Sequence, residues 1–245
     1  RMDTAATAPP RRALHAFRDG VAAAWTSVFV LVLLGNYVGI GALAYEFGFS
    51  LSWMLLSTLL VWAAPAQVIL ISTLNTATLI EVALAVTLSS VRFLPMVVAL
   101  LPMLKTRERS GAGRLVMPMH LTAISVWVEG MRLLPGKPAN ERVAFYNGLG
   151  AGLIAAACLA SIVGYALAAR LPTVLAATLL FLTPMALLMS VSRNSKTLID
   201  RLAFAFGLVV GPVLAAQKIG LDLMWTGLIA GSAAYVIHRV REAAR

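Results

Sequence analysis

Long runs of apolar residues alternate with short polar loops along the chain. Each run approaches or exceeds the roughly 20 residues that a helix needs to cross a membrane. The runs lack the period-2 alternation of a membrane barrel, and only helices and closed barrels satisfy their backbone hydrogen bonds in lipid, so the runs predict membrane helices. They are Gly20–Phe47, Leu51–Leu74, Leu79–Leu104, Leu115–Leu134, Val143–Ala168, Val174–Val191, Leu198–Gln217 and Leu221–His238.

Composition supports a chain that is solvated mainly by lipid. Hydrophobic residues make up 60% of it and charged residues 12%, whereas about 25% of a soluble domain is charged. We predict an all-α, polytopic membrane helix bundle with about six to eight spanning segments and at least one broken helix. The expected division is a basic cytoplasmic segment over residues 1–18, a transmembrane domain over 19–240 and a cytoplasmic tail over 241–245.

Basic residues cluster in particular loops, and cytoplasmic loops carry an excess of Lys and Arg. The clusters at Arg11–Arg18, Arg132–Arg142, Arg193–Arg201 and Arg239–Arg245 are therefore predicted to be cytoplasmic. This pattern predicts a multi-pass protein of the bacterial inner membrane with both termini in the cytoplasm.

One further basic loop, Lys105–Arg114, leaves two topologies open. If all eight runs span, this loop falls outside, against the charge rule. If Leu51–Leu74 and Leu115–Leu134 each enter the membrane and return, about six runs span and every basic loop is inside. Each run is long enough to span, which favours the first topology.

Polar groups within apolar runs are costly and are therefore candidates for function. Pro65 removes a helix hydrogen bond, and Ala66 and Gln67 follow it directly. A broken helix beside a neutral amide is typical of transporter substrate sites. Asn36 lies within the glycine-rich stretch Gly35–Gly41, which predicts either close helix packing or an unwound segment that exposes carbonyl groups.

Arg92 lies midway along an apolar run, where an unpaired charge costs at least about 2.5 kcal/mol. Its expected partner is a carboxylate of Glu81, Glu129 or Glu46, freed backbone carbonyls, or the carboxylate of a solute. The substrate-binding candidates are therefore Gln67, Pro65, Ala66, Asn36 and Arg92.

A group of polar residues in the fourth run predicts a polar helix face. Thr122, Ser125 and Glu129 have helical spacing, and His120 adds a residue of the type that commonly carries protons in relays. Such groups suit either a proton relay or a helix that faces a polar cavity. Gating or coupling candidates are Arg92, His120, Glu129 and Glu81.

Several other classes of function are not supported by the sequence. It has no nucleotide-binding loop, nucleophile elbow or HExxH motif, so no enzyme and no cofactor is predicted. The single cysteine, Cys158, excludes an internal disulfide. The net charge of +10 is scattered over loops, which argues against nucleic-acid binding.

Five short motifs resemble those of the AzlC-type branched-chain amino acid exporters, also called LIV-E permeases. Ala63–Gln67 resembles the family's A-G-A-A-Q-F stretch, and Leu121-Thr122 the start of its L-T-D-E stretch. Ser90–Phe93 followed by Leu101-Pro102 resembles N-x-R-H and L-x-P, and Tyr146–Gly152 resembles Y-x-x-G-x-G.

Departures from the family pattern fall at chemically important positions. Ser90 and Phe93 replace the family's Asn and His, and Ala123 and Ile124 replace its acidic pair. The G-L-D-F-A stretch expected after Leu171 is also missing. These changes affect the expected substrate and proton coupling more than the fold.

The resemblance implies a secondary transporter that exports branched-chain amino acids or related small solutes. It also implies a small AzlD-type membrane subunit as a protein partner. The lipid membrane is a second expected partner, and a homo-oligomer is a further option. The alternatives are a non-transporting membrane scaffold or regulatory subunit, and a channel.

Overall fold

The computed structural model of the protein describes residues 10–105, 113–172, 195–217 and 222–243, with single positions between 175 and 192. Most of the described residues are helical, and none lies in a strand. A 3₁₀ turn, Leu134–Gly136, follows the eighth helix. The helices are α1 Pro10–Thr26, α2 Val28–Glu46, α3 Leu51–Leu60, α4 Ala64–Thr73, α5 Leu79–Ser90, α6 Phe93–Leu104, α7 Gly113–His120, α8 Ile124–Leu133, α9 Arg142–Ala168, α10 Leu198–Ala216 and α11 Asp222–Ala243.

Parts of the sequence prediction fall outside these residues. They include most of the predicted run Val174–Val191, residues 1–9 of the predicted cytoplasmic segment and residues 244–245 of the predicted tail.

The core of the fold is α9 with α1 and α2 packed along it in the same direction. Glycines bring the helices so close that their backbones touch, as small residues do in membrane helix pairs. Over the whole seam the residue numbers rise together: Phe17 and Gly20 lie against residues 145–149, Ala24 lies against Gly152, and Val38 and Gly41 lie against residues 161–164. Helices α1 and α2 therefore form one long element, interrupted at Ser27.

Close packing also explains the glycine-rich stretch of α2. Helix α2 is continuous from Val28 to Glu46, so the unwound segment that was one interpretation of Gly35–Gly41 is wrong. The packing interpretation is confirmed, because the position of a Cβ on Gly41 is already filled by the backbone of Ser161.

Helices α3 and α4 form a hairpin rather than a spanning helix. Residues ten apart on a straight helix are separated by about 15 Å, yet the Nε2 of Gln67 lies 2.9 Å from the Oγ of Ser57. The Nδ2 of Asn75 donates to the carbonyl of Phe47 at 3.1 Å. Since the chain returns to where it started, the prediction that Leu51–Leu74 spans is wrong.

Helices α7 and α8 form a second hairpin. The chain enters it after Leu104, at the end of α6, and leaves it before α9 begins at Arg142. The Nη1 of Arg142 donates to the carbonyl of Met103 at 3.3 Å, so entry and exit are adjacent. The full-span prediction is therefore also wrong for Leu115–Leu134.

The two hairpins open at opposite ends of α9. Arg142 lies at the end of α9 where the second hairpin opens. Tyr165 lies 23 residues further on, and its hydroxyl donates to the carbonyl of Phe49, next to the first hairpin, at 2.8 Å. A helix of that length is about 35 Å long, close to the roughly 30 Å thickness of a bilayer core. The hairpins therefore open at opposite ends of a helix that is long enough to cross a bilayer.

Among the described helices, α2, α9 and α10 are long and apolar enough to cross a membrane. A fourth span results if α5 and α6, bent by 46° at Arg92, count as one. The predicted all-helical class with a broken helix is confirmed, whereas six to eight spans are not confirmed by these residues.

We predict that Gly41→Ala lowers the free energy of unfolding by about 1–3 kcal/mol, because its methyl group would collide with the backbone of Ser161. The control is Gly35→Ala on the same helix, where a Cβ meets no atom within 4 Å. Thermal unfolding in detergent measures both variants. Equal midpoints for the two would contradict the close contact between α2 and α9.

Candidate functional site

The tips of the two hairpins meet, with Trp62 buried on one side of the contact and His120 exposed on the other. The indole Nε1 of Trp62, at the first tip, donates to the carbonyl of Leu121, at the second, at 3.0 Å. In return the Nε2 of His120 donates to the carbonyl of Leu59 at 2.8 Å. Tyr37 of α2 stacks on Trp62 with ring centroids 5.8 Å apart. We call this region the tip contact.

The local sequence explains why the chain breaks at both tips. Helix α3 ends before Val61, Ala63 is extended with φ −156° and ψ 110°, and Pro65 lies in the first turn of α4. Proline has no N–H and suits that turn, so the break predicted around Pro65 is confirmed. At the second tip Ala123 is extended, with φ −123° and ψ 170°.

Helices α4 and α8 both begin at the tip contact without a cap. Their N-cap residues, Ala63 and Ala123, are buried and have no side-chain oxygen to accept a hydrogen bond. The N–H groups of a first turn have no partner within the helix, and the helix dipole adds partial positive charge there. Two such termini in one buried region favour a carboxylate or another anion.

Gln67 lies in the first hairpin and is fully buried. Its Nε2 donates to the hydroxyls of Ser57 and Thr58 at 2.9 and 2.8 Å. Both hydroxyls donate in turn to the carbonyl of Met54. The Oε1 of Gln67 accepts no hydrogen bond from any described residue. A buried acceptor without a partner costs about 1–3 kcal/mol, so this oxygen suits a donor supplied by a solute.

The other predicted substrate residues divide into two groups. Pro65 and Ala66 lie in the first turn of α4, next to Gln67, and Asn36 precedes the stacked Tyr37 on α2. Arg92 lies elsewhere, at the bend between α5 and α6. There it is exposed, with its guanidinium 5.2 Å from the ring centre of Phe93.

The carboxylates proposed as partners of Arg92 have other roles where the structure describes them. Glu81 caps its own helix and accepts two hydrogen bonds from Thr78, both at 2.9 Å. Glu129 forms an ion pair with Arg132, and no ion pair between described residues includes Arg92. Glu46 is exposed at the end of α2.

Glu129 joins two distant parts of the chain. One oxygen lies 2.7 Å from both the Nε and an Nη of Arg132, and the other accepts a hydrogen bond from Ser27. Ser27 also caps α2 by accepting from the N–H of Phe29 at 3.1 Å. The carboxylate therefore links α8 to the break between α1 and α2.

The predicted polar face of the fourth run is wrong. Thr122 lies in the break before α8, where it donates to the carbonyl of Pro118 and bonds to the hydroxyl of Tyr146 at 3.1 Å. His120 ends α7 and bonds across the tip contact. Only Ser125 and Glu129 lie on α8 itself.

Sequence reasoning missed four residues of these networks: Ser27, Ser57, Thr58 and Trp62. Two adjacent hydroxyls in an apolar run and a serine before a helix were signals that it did not use. An open cavity of about 460 Å³ lies elsewhere, lined by Ser192, Ser195, Lys196, Arg201 and Phe204. None of the tip residues lines this cavity, so it contributes nothing to the candidate site.

Comparison with known proteins supports a membrane transport family. The family model described as AzlC protein matches residues 28–171, which extend from the start of α2 to just beyond α9 and include both hairpins. No curated protein and no solved structure matches the chain. Because the match covers more than half of the 245 residues, the chain belongs to the AzlC family, which is associated with membrane transport of branched-chain amino acids.

Proposed function

We propose that the protein is a secondary transporter that exports branched-chain amino acids or related small solutes across the bacterial inner membrane. Family membership supports the class of function. The observation that carries the proposal is the Oε1 of Gln67, a buried acceptor without a hydrogen-bond partner among the described residues. Gln67 lies in the first hairpin, and the tip of that hairpin meets the tip of the second one. This is the arrangement of broken helices that transporters use for solutes at the middle of the bilayer.

The chemistry of the tip contact fits a zwitterionic amino acid. A carboxylate would accept hydrogen bonds from the N–H groups at the starts of α4 and α8. An ammonium group would donate to the Oε1 of Gln67. Met54 and Trp62 supply apolar surface for an aliphatic side chain, and Pro65 and Ala66 keep the first turn of α4 narrow. We assign Asn36 a further polar contact with the solute.

Arg92 has a separate proposed role, because it lies at the bend and not at the tips. A guanidinium holds a carboxylate through two parallel hydrogen bonds. We propose that it holds the solute carboxylate along the path or locks a gate at the bend of α5 and α6. A small AzlD-type membrane subunit is the proposed partner, and the exposed charge of Arg92 within an apolar segment favours a protein neighbour over lipid.

We further propose that the end of the protein that contains Arg142 faces the cytoplasm. Each hairpin ends on the side of the membrane where it began. The basic loop Lys105–Arg114, before the second hairpin, and the basic cluster Arg132–Arg142, after it, therefore both lie inside. This removes the conflict in the sequence pattern. We count the two remaining runs predicted from the sequence, Val174–Val191 and Leu221–His238, as further spans. Six segments then cross and both termini are cytoplasmic.

We expect Gln67→Leu to fold and to lower leucine exchange at least about tenfold. Leucine matches glutamine in size, and the hydroxyls of Ser57 and Thr58 keep their bonds to Met54. Loss of one polar contact to a solute is commonly worth about 1.4 kcal/mol or more, a factor of ten. The measurement is counterflow of radiolabelled leucine in liposomes that contain the purified protein.

The control is Gln217→Leu at the exposed end of α10, which should exchange leucine like the wild type. Unchanged kinetics in Gln67→Leu would contradict the site. Saturable counterflow distinguishes a transporter from a channel, and its absence for every branched-chain amino acid would favour the scaffold.

We expect cysteines placed at Ala5 and Ala244, in a Cys158→Ser background, to resist an impermeant maleimide in intact cells. The proposed cytoplasmic location of both termini is the reason. A cysteine at Arg170, on the proposed outer side, is the positive control. Labelling of either terminal cysteine without permeabilisation would contradict the topology.

A further inference from the structure

Glu129 is the one carboxylate that is buried within the described part of the chain, with 4% of its surface exposed. Burying a charge is costly unless donors surround it. Here Arg132 supplies two N–H groups and Ser27 an O–H group. The side chain of Arg132 is 66% exposed. Arg132 belongs to the basic cluster Arg132–Arg142, which is cytoplasmic in the proposed topology, so one side of this pair is open to solvent there.

The elements that Glu129 joins are both interrupted. Helix α8 is the returning arm of the second hairpin, and Ser27 is the cap at the break between α1 and α2. A chain segment that is already broken can bend at the break, whereas a continuous helix must lose backbone hydrogen bonds in order to bend. A single carboxylate therefore holds two of the parts that an alternating-access movement would separate.

We infer that Glu129 is the proton-accepting group that couples solute movement to a proton gradient. The inference rests on the proposed transport function. A proton from water beside Arg132 adds to a carboxylate oxygen, and the acid becomes neutral. Arg132 then loses its charged acceptor and turns to solvent, and the second hairpin is released from the break at Ser27.

The other charged and titratable groups near Glu129 are exposed or bonded to other partners, so Arg132 is its counter-charge. On α9, the hydroxyl of Tyr146 is bonded to Thr122 and Arg142 donates to the carbonyls of Lys137 and Met103. Beyond the 3₁₀ turn, Lys137 forms an ion pair with Asp19 of α1. The end of α6 contributes Lys105, which is exposed.

The other coupling candidates from the sequence fit less well. Glu81 is committed to the cap at Thr78. His120 is exposed, and its Nε2 is already engaged in the hydrogen bond to the carbonyl of Leu59. Arg92 does not release its proton in proteins.

The decisive variant is Glu129→Gln, which keeps the shape of the side chain and is neutral like the protonated acid, but has no titratable group. In this variant Arg132 loses its charged partner. We expect the fold to tolerate this loss because the side chain of Arg132 is largely exposed. The purified protein is reconstituted in liposomes whose interior is about one pH unit more acidic than the bath. Such a gradient drives about tenfold leucine accumulation per proton exchanged.

We expect the wild type to accumulate leucine in proportion to the gradient. Glu129→Gln should retain leucine counterflow but should equilibrate leucine without accumulation. A pH-sensitive dye inside the liposomes should report leucine-driven proton movement in the wild type only. The matched control is Glu141→Gln, a carboxylate at the start of α9 that forms no described ion pair and should accumulate leucine normally.

Gradient-driven accumulation by Glu129→Gln would overturn the inference. If a folded Glu129→Gln variant loses both counterflow and accumulation, the inference is also overturned, because that result indicates a structural role for Glu129. If the single variant does not fold, the double variant Glu129→Gln/Arg132→Gln, which removes both charges, is measured against the same outcomes. A wild type without counterflow for any branched-chain amino acid refutes the proposed function, and the coupling role is rejected with it.

Discussion

A chain that reverses direction inside a membrane must satisfy its freed backbone groups within the protein, because lipid offers no hydrogen bonds. The fold of this protein depends on how it meets that constraint. Each hairpin tip bonds to the other through Trp62 with Leu121 and His120 with Leu59. In the proposed topology both tips lie in hydrocarbon, where neither would be stable alone, so the two hairpins require each other.

The same constraint positions the proposed transport site. The break at each hairpin tip leaves a helix start, at Ala63 and at Ala123, with N–H groups to be satisfied. It also brings Gln67 against Ser57, which orients one end of the amide and leaves the other for a solute. The long helix pair of α2 and α9, locked by glycine contacts, supplies the rigid frame against which such hairpins can move.

Local chemistry was predictable from sequence, whereas long-range pairing was not. Pro65 and Gln67 identified the first break because proline acts on its own helix. Length did not distinguish a hairpin from a span, since 24 residues over Leu51–Leu74 suit either; the loop charges contained that information. The link from Ser27 to Glu129 joins residues 102 positions apart, and no local pattern indicates it. Thr122 was misassigned because helical spacing was assumed across a break.

The most direct test of this architecture is the sidedness of the four hairpin ends. Single cysteines at the exposed positions Ser50, Thr76, Arg114 and Ala139, in a Cys158→Ser background, are labelled with an impermeant maleimide in sealed, oriented vesicles. The account predicts that Ser50 and Thr76 label from one face and that Arg114 and Ala139 label from the opposite face. Labelling of Ser50 and Thr76 from different faces would mean that α3 and α4 cross the membrane, and would contradict the meeting of the two tips.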